Sequence, residues 1–90
     1  RGIGAMYQSM LDSMREQLAE KEKEIAEHED RIAEDEKRIK EAENRGDKAS
    51  KDAIEYGLKS VKYQLKLAQE RKAELAKGIS DYEKKLKKMD

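Results

Sequence analysis

Proline, cysteine and tryptophan are absent from this 90-residue chain, and four tyrosines are its only aromatic residues. Lack of cysteine excludes disulfide scaffolds, cysteine-ligated zinc and thiol nucleophiles. No uninterrupted apolar run approaches the roughly 18 residues that a membrane span requires, and the first residues do not read as a secretory signal. With 36% apolar residues and so few large ones, an ordinary compact core is not expected. Two classes survive these exclusions: disorder, or long helices sharing a thin apolar seam.

Charge is what the chain has in abundance. Charged residues make up 47% of it, 21 acidic against 21 basic, for a net charge of zero. The balance hides an asymmetry. Residues 1–44 carry thirteen acids and eight bases, five net negative charges, and residues 45–90 carry the reverse. Such a split points either to tails meant for partners or to two halves that face each other.

Periodicity favours the second. Ile54, Leu58, Val61, Leu65, Ala68, Leu75, Ile79, Tyr82, Leu86 and Met89 fall on alternating steps of four and three, with Lys72 the one interruption. Apolar residues every 3.5 positions trace a single stripe along a helix and are the mark of a coiled coil. The first half keeps the same beat. Leu11, Leu18, Ile25, Ile32 and Ile39 recur every seven residues, beside a row that begins Tyr7, Met14 and turns polar at Lys21, His28 and Asp35. Pairs such as Glu27 with Arg31 and Glu34 with Arg38 add about 0.2–0.5 kcal/mol each to this helix.

Between the stripes lies Asn44-Arg45-Gly46-Asp47-Lys48-Ala49-Ser50. Glycine closes helices by adopting the left-handed conformation, and Asp47 or Ser50 suits the start of the next helix. Lys37, Arg38 and Lys40 are placed to meet the dipole at the end of the first helix, and Asp47, Asp52 and Glu55 that at the start of the second. A short connection makes the helices antiparallel neighbours. Facing residues in such a pair have a constant index sum. Ile39 with Ile54, Ile32 with Val61, Ile25 with Ala68, Leu18 with Leu75, and Met14 with Ile79 all give 93. The centre of that register falls between Gly46 and Asp47, where the turn signals are. The fold class is therefore all-α, an antiparallel two-helix coiled-coil hairpin about 60 Å long at 1.5 Å per residue. Its expected divisions are a flexible N-terminal segment or non-native residues at 1–5, an acidic helix at 6–44, a turn at 45–50 and a basic helix at 51–89. An antiparallel dimer with exchanged arms satisfies the same sums.

The register also places charges. Glu24 falls near Arg71, Glu29 and Glu36 near Lys62, and Arg15 near Glu83. Acidic and basic arms would zip together through such pairs. Lys21 meets Lys72 in one seam layer, and Lys51, His28 and Asp35 occupy others. In a two-stranded coil these side chains are expected to bend outward and keep their charges solvated. The isolated hairpin is expected to be marginal, so self-association or docking on a partner should add to it. Ala53, Tyr56, Ser60, Tyr63 and Leu67 repeat on a side of helix two that points away from the seam and form the candidate partner face. Gly57 and Gly78 flank the seam, and Ala19, Ala26 and Ala33 make a small-residue row on helix one; both features suit close approach of another helix.

Little catalytic chemistry is present. His28 with Glu24 resembles half of a metal pair, but no second histidine or convergent carboxylates complete it. No phosphate-binding loop, serine–histidine pair or pocket for a small-molecule substrate is expected. Neither enzymatic activity nor any cofactor is therefore expected. Arg45-Gly46-Asp47 spells the tripeptide RGD, which resembles the integrin-binding motif of adhesion proteins; the resemblance covers three residues and implies adhesion at the hairpin tip. Lys84, Lys85, Lys87 and Lys88 form a basic end that suits the helix dipole and offers contacts to nucleic acid or an anionic membrane. Zero net charge and the absence of nearby stacking aromatics argue against both. The expected role is a structural, scaffold-like protein-interaction module that recruits another copy or a partner protein, in a soluble, cytoplasmic setting. Replacing Ile32 or Val61 by aspartate should abolish most of the helical circular dichroism signal, and an unchanged spectrum would place the seam elsewhere.

Overall fold

The computed structural model describes residues 2–89. Two helices, α1 (Ile3–Asn44) and α2 (Lys48–Met89), fold back on each other as an all-α hairpin. The rod measures 66 × 14 × 14 Å. Helix α1 begins at Ile3, inside the segment expected to be flexible. Gly2, at φ 76°, turns the chain into it, and its carbonyl accepts the Met6 amide at 2.9 Å. Helix α2 begins at Lys48 because Asp47 supplies the cap, leaving three residues between the helices.

Every member of the heptad rows, from Tyr7 to Ala42 on α1 and from Lys51 to Leu86 on α2, is buried or half-buried. The most enclosed apolar side chains are Leu11, Ala42, Leu58, Ala68, Leu75 and Ile79. A large aliphatic side chain enclosed in this way contributes about 1.5–3 kcal/mol. Met89 extends the row in sequence, yet it is 48% exposed at the open end. Near that end the Tyr7 and Tyr82 rings tilt against each other with centroids 5.3 Å apart. The Lys85 ammonium lies 5.1 Å from the Tyr82 centroid and 5.6 Å from that of Tyr7.

Asp35 departs from expectation. It does not bend into water; its side chain is 3% exposed. Burial is tolerated because both carboxylate oxygens are occupied. Arg31 donates through Nε at 2.9 Å and Arg38 through Nη1 at 3.0 Å, one turn to either side. The lysine layer resolves as expected of long side chains. Lys21 turns to Glu24 at 3.0 Å and Lys72 crosses to Glu22 at 3.5 Å.

The two seam-flanking glycines differ. A Cβ at Gly78 would collide with the Met14 side chain of α1, so the space serves the hairpin itself and not a third helix. Gly57 has nothing within reach of a Cβ. Alanine there should stabilise the helix by about 1 kcal/mol. Alanine at Gly78 should gain less, because Met14 must move. Thermal melts followed by circular dichroism test this order, and equal gains would contradict the Met14 contact.

Candidate functional site

The turn is built from two interlocked devices. Gly46 takes φ 70°, its amide bonds to the Glu43 carbonyl at 3.1 Å, and the Asp47 amide bonds to the Ala42 carbonyl at 2.9 Å. This double closure is a Schellman motif. Asp47 then opens α2 with its side chain. Its Oδ1 accepts the Ser50 amide at 3.0 Å and its Oδ2 accepts the Ser50 hydroxyl at 2.6 Å. One residue ends the first helix and starts the second. The last turn of α1 holds no basic residue, and the first turn of α2 no acidic one. Of the charges expected to meet the helix dipoles, only Asp47 does so, as the cap of α2; the helix ends lie beyond Lys37, Arg38 and Lys40 and before Asp52 and Glu55. Lys51 instead reaches Glu43 at 2.8 Å.

These bonds shift protonation. The Ser50 hydroxyl and amide hold the Asp47 carboxyl below its ordinary 3.8, with Arg45 adding to the effect. The Lys21 ammonium holds Glu24 below 4.5, with a further contribution from His28, whose Nε2 lies 3.5 Å away. The Glu43 carboxylate raises Lys51 above 10.5. The Arg-Gly-Asp tripeptide does occupy the tip, but its carboxylate is engaged by Ser50 and by Arg45 Nη2 at 3.4 Å. A receptor that takes Asp47 must first uncap α2.

The expected partner face lies open. Tyr56 is 80% exposed, Tyr63 58% and Leu67 41%, with Ala53 and Ser60 exposed beside them. Tyr56 also forms one wall of an open groove of about 880 Å³ whose other lining includes Ile39, Leu58, Glu36, Lys59 and Lys62. A trough so open to water and edged by charge lacks the enclosure that substrate sites have. No group of three or more metal-ligating side chains converges among the described residues, and no helix is long and apolar enough to cross a membrane.

A second apolar surface falls where no partner face was expected. Ile3, Met6 and Met10 follow steps of three and four on α1 and are 60%, 52% and 37% exposed. Their spacing is a helical signal that continues through the expected flexible segment.

Charge joins the arms at few points, and of the expected pairs Arg15 with Glu83 forms. Three ion pairs cross between the helices among the described residues: Arg15 with Glu83 at 2.8 Å, Lys51 with Glu43, and Lys72 with Glu22. The first of these runs against the overall asymmetry. The expected Glu24–Arg71 contact is missing, because Glu24 turns to Lys21 and His28 while Arg71 bonds Gln17 and Glu74. Lys62 forms no ion pair with Glu29 or Glu36, although it shares the groove with Glu36. Most charged side chains are exposed to solvent. Compared with protein-family models, curated proteins and solved structures, the chain matches none.

The shifted groups set a pH window. Asp47 and Glu24 are depressed in the fold, so their stabilisation is complete above their ordinary 3.8 and 4.5 and is lost as pH falls through the lower folded values. Lys51 is raised, so its contribution holds below 10.5 and is lost as pH rises through its folded value. The melting temperature should therefore fall in acid below about these carboxyl values. An Asp47→Ala variant should melt several degrees lower at neutral pH and show a shallower acid loss; equal acid sensitivity would remove Asp47 from the account.

Proposed function

We propose that this protein is a non-enzymatic coiled-coil hairpin that acts as a structural and protein-interaction module, recruiting another copy or a partner protein through the outward face of α2. The observation that carries this reading is the stripe of Tyr56, Tyr63 and Leu67, which stays exposed on the side of α2 remote from the seam. Tyrosine combines a large apolar ring with a polar tip and is over-represented where one protein surface covers another. The coiled-coil description draws support from burial that follows alternating steps of three and four on both helices. A two-helix rod has no interior beyond its seam, so any further apolar burial must come from outside the chain.

Light scattering provides the test. The unmodified chain should show a mass above the 10.4 kDa of one copy, or a partner should shield its tyrosines from acetylation. Tyr56→Ala combined with Tyr63→Ala should reduce the mass to that of one copy or abolish the shielding while leaving the helical signal intact. An unmodified chain that stays at 10.4 kDa with its tyrosines fully reactive in its native setting would overturn the proposal.

A further inference from the structure

We infer that the occupant of the α2 face is helix α1 of a second copy, running parallel to α2, with lysines of one copy against glutamates of the other. The inference rests on the reading of that face as an interface and names what covers it.

It starts from charge that the hairpin leaves unspent. Lys59 and Lys66 are exposed along the tyrosine face and form no ion pair among the described residues. On α1, Glu20, Glu27 and Glu34 are likewise exposed and form no ion pair among the described residues, because Arg31 and Arg38, the expected partners of Glu27 and Glu34, turn to Asp35 instead. A second α2 laid antiparallel on the face would bring lysines against lysines, a like-charge contact that costs several kcal/mol, and one laid parallel would set them against Ser60 and Leu67, which carry no countercharge. A second α1 brings carboxylates.

The spacings match as well as the signs. On α2, Tyr56 and Tyr63 stand seven apart, with Lys59 and Lys66 three positions after each and Ser60 and Leu67 four after each. At 100° per residue the lysines fall on one flank of the tyrosines and the Ser60–Leu67 row on the other. On α1, Ala19, Ala26 and Ala33 also stand seven apart, each followed at once by a glutamate. Alanines and glutamates therefore flank a strip that contains Lys23 and Asp30. When two helices run parallel, the leading flank of one meets the trailing flank of the other. The lysine row then meets the glutamate row and Leu67 meets the alanines. The tyrosine rings lie over the middle strip, where Lys23 offers a cation to a ring face and Asp30 an acceptor to a hydroxyl. An antiparallel approach would set lysines against alanines and glutamates against Leu67. Each copy carries both surfaces, so the contact is heterologous and repeats head to tail.

Charge reversal tests the pairing. Lys59→Glu with Lys66→Glu, and separately Glu27→Lys with Glu34→Lys, should each weaken association at least about tenfold with the circular dichroism spectrum of the hairpin unchanged. An equimolar mixture of the two variants should recover the mass of the unmodified chain in light scattering. Salt of about 1 M, where screening acts within about 3 Å, should weaken the unmodified assembly in the same way. An unmodified chain that is monomeric, a variant that stays assembled, or a mixture that stays dissociated would each overturn the inference. Loss of assembly on replacing the tyrosines, with no effect of charge reversal, would keep the face as an interface and reject α1 as its occupant.

Discussion

Two helices laid side by side can bury only one stripe of each, and the rest of the molecule follows from that limit. The chain exposes 6798 Å², whereas a compact monomer of its mass would expose about 5,400 Å². Its radius of gyration is 20.0 Å, against about 12 Å for a compact 90-residue domain. Few side chains are enclosed, so no single layer dominates the stability. What the layers need is alignment, and that comes from the turn. Asp47 closes α1 through its amide and opens α2 through its carboxylate, so the helices cannot slide without breaking one end or the other.

Asp35 shows how the seam tolerates polarity without using it for recognition. A buried carboxylate is costly unless its oxygens are paired. Both guanidiniums that pair it belong to its own helix. They would accompany Asp35 in any register of α2, so the cluster does not distinguish one alignment from another. Discrimination falls instead on contacts between the helices. The Met14 side chain packs into the space that α2 leaves at Gly78, and Tyr7 packs against Tyr82.

The heptad rows, the turn and the register were legible because each depends on local spacing, and the constant index sum joined them without further information. The direction of long polar side chains was not legible. Glu24 had Arg71, Lys21 and His28 within plausible reach, and it is the neighbours on its own helix that it meets. A lone aspartate at a seam position predicts solvation, but Arg31 and Arg38 one turn to either side make Asp35 a shielded group. Helix starts were less legible. Ile3 precedes the heptad rows, which open at Tyr7, and Lys48 to Ser50 precede the first seam position of α2, yet both stretches are helical, the second because Asp47 caps it. The tyrosine stripe was visible from its spacing, since residues absent from a seam of known phase must face elsewhere.

Asymmetry of charge between the halves has a different meaning once the seam is known. Opposite charges on two arms suggest attraction between those arms, yet apolar contact has already brought the arms together and turned their charged faces outward. Each helix can satisfy few of its charges through its partner, because the faces that remain are on opposite sides of a rod 14 Å across. Attraction between acidic and basic surfaces that cannot reach each other within one molecule is available between molecules. A net charge of zero removes the long-range repulsion that would keep copies apart. The same composition that leaves the hairpin thin thus leaves it with two complementary sides, and the apolar tyrosine stripe lies on one of them.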